Sequence, residues 1–254
     1  MLLIYRILIN LTLLLSPIIF ILRIIKKKEH PLRFKEKLCF FSEKKIKGKL
    51  VWFHGASVGE VLSVIPLIEK LEKNKKIKQI LITSNTLSSS KIISNLKLKK
   101  TIHQFFPIDT HYHTKKFINY WDPSIALFID SEIWPNTIEN IKKKNIPLLL
   151  LNARITKKSF QRWKRLGSSS KNLFQKFDMC LSSSLKSKNY LKSLGAKKIR
   201  YIGNLKFTQT EKNKKSLNKN QNNFFASKRI WSAASTHNTE ERICALVHKK
   251  LKPK

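Results

Sequence analysis

Residues 50–60 read Leu50-Val51-Trp52-Phe53-His54-Gly55-Ala56-Ser57-Val58-Gly59-Glu60. Four apolar residues with no polar alternation predict a strand covered on both faces, as in a parallel sheet. The chain then turns at Gly55 and opens a helix. Ser57-x-x-Glu60 has the spacing of a capping box, with Ser57 as N-cap and Glu60 reaching back to the Ser57 amide. A strand running straight into a helix is the repeating unit of a doubly wound α/β fold. There, the loop after a strand's C-terminal end faces the ligand crevice. The same residues therefore support a second reading: Glu60 as a general base, with His54 orienting a substrate. Spacing alone leaves both readings open.

The pattern repeats outward. Further strands are expected at Ile80–Thr83, Ser124–Ile129, Pro147–Leu151, Met179–Ser182 and Arg200–Ile202. Helical stretches are expected near 60–73, 110–120, 136–144, 168–176 and 185–194. Strand–helix alternation of this kind predicts an α/β domain with a parallel sheet covered on both faces. Residues 209–223 are polar and almost free of hydrophobes, so they read as a linker. Beyond them Arg229–Ala233 reads as one more strand and Glu240–Leu251 as one more helix. The expected organisation is a membrane anchor (1–25), a basic connector (26–48), a Rossmann-like domain (49–207), a polar linker (208–227) and the beginning of a second domain (228–254).

Residues 7–22 are uncharged and mostly apolar, flanked by Arg6 and Arg23 and followed by Lys26–Lys28. A transmembrane helix needs roughly 20 such residues. Snorkelling of the flanking arginines extends the usable stretch to Ile25. No small-x-small cleavage site follows, so the segment reads as an uncleaved anchor rather than a signal peptide. The positive cluster on its C-terminal side places the body on the cytoplasmic face.

The chain carries 52 Lys and Arg against 15 Asp and Glu, a net charge of +37. The lysines are spread along its whole length, which fits compositional drift as well as attraction to an anionic membrane or a phosphorylated substrate. A basic membrane-binding or nucleic-acid-binding protein is the alternative that charge alone supports. RNP, KH and helix-turn-helix patterns are absent, which argues against nucleic acid. The cysteines Cys39, Cys180 and Cys244 are odd in number and widely spaced, with no CxxC. They exclude a disulfide framework and a zinc-ligand pattern and fit a reducing compartment.

Four more motifs follow predicted strands or turns. Asp130-Ser131-Glu132-Ile133-Trp134-Pro135-Asn136 puts two carboxylates and an indole at a strand exit. Its alternative reading is Ser131 or Glu132 as a helix cap, with Pro135 in the first turn. Leu151-Asn152-Ala153-Arg154, with Ser159 beyond it, places a guanidinium where its planar fork can grip a carboxylate or phosphate. Gly203-Asn204-Leu205-Lys206-Phe207 is a glycine-led turn. Ser235-Thr236-His237, ahead of Glu240 and Glu241, suits either phosphate binding or an ordinary N-cap.

Taken in this order, the five motifs, with Arg33-Phe34-Lys35-Glu36-Lys37 and the turn Pro107-Ile108-Asp109, resemble the 3-deoxy-D-manno-octulosonic acid (Kdo) transferases of lipopolysaccharide synthesis. The resemblance covers nearly the whole chain. It implies an α/β fold of the GT-B glycosyltransferase type, with the acceptor on the N-terminal domain. It implies transfer of Kdo, with inversion, from CMP-Kdo to a glucosamine hydroxyl of a tetra-acylated lipid A precursor (lipid IVA) at the inner membrane. Glu60 would be the general base. His54, Ser57, Gly59, Asp130, Glu132, Asn152, Arg154 and Lys206 would bind substrate, and Ser235, Thr236 and His237 would lie on the donor side. No metal and no cofactor are implied.

The sequence departs from the family pattern in places. Asp130 stands where the family has a glutamate, a glycine is missing from Thr83–Ser88, and a glutamine near Ser183 is replaced. Family members also continue for more than a hundred residues past the Ser-Thr-His motif, with a Pro-Arg-His motif and a glycine-rich acidic region that hold the CMP moiety. The expectation is therefore a chain that stops within its nucleotide-binding half and does not catalyse transfer alone. An inactive or split-gene piece, completed by a second chain, is the alternative.

Overall fold

Parallel pairing of short apolar strands organises the protein. The computed structural model describes residues 2–96, 98–206, 230–234 and 236–251, with Asn223 and Ala226. Two N-terminal helices, α1 (Leu2–Leu14) and α2 (Ser16–Ile25), lead to a 3₁₀ turn at Arg33–Leu38. Then come β1 (Lys49–His54), α3 (Val58–Glu72), β2 (Ile77–Ser84), α4 (Leu87–Ser94), β3 (Thr101–Phe105) and α5 (His111–Trp121). They are followed by β4 (Ile125–Ile129), α6 (Pro135–Lys143), β5 (Leu148–Ala153), α7 (Lys157–Arg165), α8 (Ser168–Phe174), β6 (Met179–Ser182), α9 (Leu185–Ser193) and β7 (Ile199–Tyr201). A last helix, α10 (Glu240–Leu251), belongs to a separate unit, Lys212–Lys254; everything before it belongs to the unit Met1–Glu211.

The strands form one parallel sheet in the order β3-β2-β1-β4-β5-β6-β7. Alternate residues of each strand feed opposite faces. Leu50, Trp52, Phe128 and Leu150 pack with residues of α5, α6, α8 and α9. Val51, Phe53, Leu127 and Leu151 pack with residues of α3 and α4. Helices therefore cover both faces, as the unbroken apolar strands require. The strand order reverses between β1 and β4, and at that point the C-terminal ends of both strands border a crevice.

Three elements escaped the sequence reading. β3 has polar residues among its apolar ones, in keeping with its place at the sheet edge. α4 is serine-rich, and α7 buries none of its residues. Each of these helices is started by a threonine, Thr86 or Thr156, whose hydroxyl accepts from the amide three residues on. Two expectations are corrected. Ile230–Ala233 form no strand, because they have no sheet partner among the described residues; Arg229 and the linker residues 209–222 lie outside the described residues. The N-terminal apolar segment, expected as one helix, is not a single helix: α1 and α2 meet at a 54° bend, with Pro17 in the first turn of α2. Among the described residues no single helix is long and apolar enough to cross a membrane, although the bent pair together has the length and composition.

The segment read as a basic connector folds onto the domain. Glu36 is buried and accepts from Arg33 and from the Phe105 amide (2.7 Å). Lys37 Nζ reaches Glu29 at 2.6 Å. Phe20 of α2 packs on Phe34 with ring centroids 5.3 Å apart.

Phe128 lies under the crevice end of the sheet, fully buried, edge-on to Trp52 (5.4 Å) and His54 (5.2 Å). Phe128→Ala leaves a cavity there and is expected to cost about 3–5 kcal/mol of stability, readable as a lower midpoint in chemical denaturation.

Candidate active site

The start of α3 forms the helix cap that the sequence suggested and keeps the Glu60 carboxylate at the crevice. Ser57 is in extended conformation and caps the helix, its Oγ accepting from the Glu60 amide at 3.4 Å. The Glu60 carboxylate reaches back to the Ala56 amide (2.7 Å), one residue earlier than the expected Ser57 amide, and accepts from the Ser57 hydroxyl (2.8 Å). Gly55 permits this turn: a Cβ there would lie 3.1 Å from the Ile129 side chain and 3.2 Å from Glu60 Cβ. Burial pushes the Glu60 carboxyl above its ordinary range. The hydrogen bonds from Ser57 and Ala56 oppose that shift, and the nearby Glu132 and Asp130 carboxylates add to it.

The ends of β4, β5 and β7 converge on the same place. Asp130 follows β4 with φ +61° and is nearly buried; its Oδ2 lies 3.6 Å from Lys206 Nζ, and its buried Oδ1 has no hydrogen-bond partner. Burial raises its carboxyl too, against the pull of Lys206 and Arg154. The Arg154 amide donates to the Asp130 carbonyl at 3.1 Å, lacing the end of β5 to this turn. Lys206 Nζ runs along the first turn of α3, where a Cβ on Gly59 would lie 3.9 Å from it. Glu60, Asp130, Arg154 and Lys206 together line a cleft of about 410 Å³. The hydroxyl-bearing residues Ser131, Thr156 and Ser159 complete its wall. Sequence reading singled out the four charged residues; it gave no role to Thr156, whose capping spacing to Ser159 was the available signal.

His54, Glu132 and Asn152, also expected to bind substrate, bond to the protein around the cleft. His54 is fully buried under Phe106, ring centroids 3.7 Å apart, and does not reach the cleft. Its Nδ1 meets Thr83 Oγ1 at 3.0 Å and its Nε2 meets Glu132 Oε2 at 3.1 Å. Glu132 also accepts from the Trp134 indole (2.7 Å). Burial alone would raise its carboxyl, but the bonds from His54 and Trp134 outweigh burial and hold it below the usual range. Asn152, buried at φ +51°, accepts from the Leu205 amide at 3.0 Å and so holds the turn that presents Lys206.

Neither Ser131 nor Glu132 caps α6. Asp109 does, accepting from the amides of Asn136 (3.1 Å) and Thr137 (2.8 Å). Its carboxyl is pushed up to about 6 by burial, against those bonds. In the unit Lys212–Lys254, the Thr236 hydroxyl donates to Glu241 (3.2 Å) and the His237 amide to Glu240 (2.8 Å), an arrangement that opens α10. Ser235 lies outside the described residues. Among the described residues no group of three His, Cys, Asp or Glu side chains is arranged to hold a metal ion.

The Glu132 carboxyl is held below its unfolded value of about 4.3, so its stabilisation is present above that pH and is lost as pH falls through the folded value. Glu132→Gln is therefore expected to cost about 1–2 kcal/mol at pH 7. The difference in Tm from wild type should narrow steadily below about pH 4.3 in thermal scans across pH.

Comparison with known proteins agrees with this geometry. The sequence model of the family described as 3-Deoxy-D-manno-octulosonic-acid transferase (kdotransferase) matches residues 32–209. The 3-deoxy-D-manno-octulosonic acid transferase of Rickettsia bellii is 34% identical over 247 residues, 95% of this chain and 59% of that protein. That of Rickettsia felis is 35% identical over 80% of this chain and 44% of its own length. That of Haemophilus influenzae is 26% identical over 79% and 48%. The chain thus spans about half the length of the curated relatives it matches.

Among solved structures, S. aureus MnaA with UDP superposes with a TM-score of 0.51 at 13% identity, covering 72% of this chain and 52% of that one. The UDP-GlcNAc 2-epimerase of Neisseria meningitidis bound to UDP-GlcNAc superposes with a TM-score of 0.50 at 16% identity, covering 71% and 55%. These likenesses show the fold alone, α/β of the GT-B type. The family model, the Rickettsia relatives and the motifs assembled at the crevice agree: the chain belongs to the Kdo transferase family.

Proposed function

We propose that the protein acts in the transfer of Kdo from CMP-Kdo to a glucosamine hydroxyl of a tetra-acylated lipid A precursor, with inversion. The observation that carries this reading is the placement of Glu60: a carboxylate fixed by the Ala56 amide and the Ser57 hydroxyl, on a cleft it shares with Arg154 and Lys206. An alcohol is too weak an acid to attack unaided, so a base within hydrogen-bond reach is required. In the proposed step the acceptor hydroxyl oxygen bonds to the anomeric carbon of Kdo. The bond from that carbon to the CMP phosphate oxygen breaks, CMP leaves with the electron pair, and the hydroxyl proton passes to Glu60. Arg154 and Lys206 suit the acidic groups of such substrates. Thr236 and His237, with Ser235, are assigned to the donor side. The reaction so written uses no metal and no cofactor.

The same reading places the protein on the cytoplasmic face of the inner membrane. Its support is the exposure of Ile4, Ile7, Leu11, Ile18, Ile21 and Ile25 on α1 and α2, with Lys26–Lys28 just beyond. Apolar surface of this extent favours a lipid interface, and the lysines favour anionic headgroups. A reporter fused after residue 254 should be active in the cytoplasm and silent in the periplasm; periplasmic activity would overturn this orientation.

In a full-length enzyme, or one reconstituted with a second chain, Glu60→Gln is expected to lower Kdo transfer by about 10²-fold or more, measured as Kdo-bearing lipid by mass. The folded Glu60 carboxyl is raised, so its favourable contribution is full below the unfolded value of about 4.3 and fades as pH rises through the folded one. Removing the charge should therefore leave Tm at pH 7 unchanged or higher. Undiminished transfer together with a fall in Tm of several degrees would make Glu60 a helix cap only.

A further inference from the structure

In the apolar helix α1 the sequence places one polar pair, Tyr5-Arg6, and both side chains turn to the protein rather than away from it. Tyr5 Oη donates to Asp109 Oδ2 at 2.7 Å. Arg6 Nε donates to Asn136 Oδ1 at 3.0 Å, and its guanidinium lies 3.4 Å from His111 Nδ1. Asp109 is 1% exposed, and its two oxygens are shared between Tyr5 and the first turn of α6: the amides of Asn136 and Thr137 and the Thr137 hydroxyl. Asn136 closes the ring by donating from Nδ2 to the Asp109 carbonyl at 2.6 Å. The start of α6 is also the end of the loop Asp130–Trp134, in which the Trp134 indole holds Glu132.

We propose that Tyr5, Arg6 and Asp109 are positioning residues, through which the docked helix α1 braces the first turn of α6 and with it the loop that carries Asp130 and Glu132. The assignment of that loop to the acceptor site rests on the function proposed above; the brace itself does not. An Asp109 carboxylate with its full set of donors fixes where Pro135, Asn136 and Thr137 sit, and residues 130–134 have little freedom between that point and the end of β4. Removal of the Tyr5 hydroxyl leaves a buried carboxylate oxygen one donor short, and such a deficit is costly in a low-dielectric setting. A helix seated in lipid by its apolar residues thereby reports its docking to the catalytic loop. If α1 left the domain to cross a bilayer alone, it would strip Asp109 and Asn136 of these partners.

The test uses the full 254-residue chain in lipid nanodiscs, comparing wild type, Tyr5→Phe and, as a control, Tyr112→Phe, whose ring is 68% exposed. Amide hydrogen exchange is followed over residues 130–137 and over β5. Tyr5→Phe is expected to speed exchange over 130–137, including the Asn136 and Thr137 amides, by roughly tenfold, with β5 unchanged and Tyr112→Phe without effect. Binding of tetra-acylated lipid A precursor should weaken in parallel. Unaltered exchange over 130–137, or a rise spread equally through β5, would overturn the brace. Failure of the wild-type chain to bind the precursor would instead count against the proposed acceptor, and the exchange result would still decide the brace.

Discussion

β1 is paired on one side with β2 and on the other with β4, and the site depends on this pairing. Because the strand order reverses there, the connections leaving β1 and β4 diverge to opposite faces of the sheet and leave a gap at the C-terminal edge. The register that aligns His54 with Phe128 sets Glu60 beside Asp130 and Glu132. The next pairing, Ile129 with Leu151, carries Arg154 to the same rim, where its amide bonds the Asp130 carbonyl. A slip by one residue in either ladder would turn Trp52 and Phe128 to the wrong face of the core and scatter the four charged groups of the cleft.

Stability and chemistry are often opposed as explanations for a carboxylate at a helix start. At α3 they share atoms. The Ser57 hydroxyl takes the Glu60 amide, one of those that a helix N-terminus leaves orphaned, and the Glu60 carboxylate takes the Ala56 amide just ahead of the helix, so the cap is real. The same bond removes the rotational freedom of the carboxylate, and fixed direction is what a base in a crevice requires. At β4 the division of labour is stricter. His54 and Trp134 hold Glu132, Asp109 starts the helix, and Asp130 is left with an oxygen free of partners, strained into a left-handed backbone conformation at the mouth of the cleft.

Much of this was legible in the sequence because apolar runs and strand-exit motifs are local signals. The strands around Leu50–Phe53 and Ser124–Ile129 are unbroken apolar stretches, and Glu60, Asp130, Arg154 and Lys206 each follow such a strand or a glycine turn. The rest was hidden for physical reasons. Whether His54 faces ligand or core depends on Phe106 and Glu132, distant in sequence and adjacent only after folding. The cap of α6 comes from Asp109, 26 residues before Pro135, where local capping rules do not look. α4 and α7 rest on threonine caps and, in α7, on a helix with no buried residue, so periodicity had little to detect. The bend after Leu14 follows from Pro17, but composition alone made one anchor of the two helices.

The net charge of +37 suggests a site ruled by cations, yet the cleft sets two carboxylates, Glu60 and Asp130, against two cations, Arg154 and Lys206, with the Glu132 carboxylate close enough to act on Glu60. Surface lysines are screened within about 8–10 Å at physiological salt, so most of them do not bear on Glu60. What bears on it is burial, with Glu132 and Asp130 adding like charge and Ser57 and Ala56 opposing. Glu132 is kept ionised by His54 and Trp134, and its fixed negative charge is one reason the Glu60 proton affinity rises. A base works best when its affinity approaches the operating pH, and a carboxylate standing alone in water is too weak. In the proposed reaction the buried histidine thus acts at one remove. By holding Glu132 charged it helps raise the proton affinity of Glu60, the property that the proposed general base needs, while Lys206 and Arg154 oppose, without cancelling, the rise that burial gives the neighbouring Asp130 carboxyl.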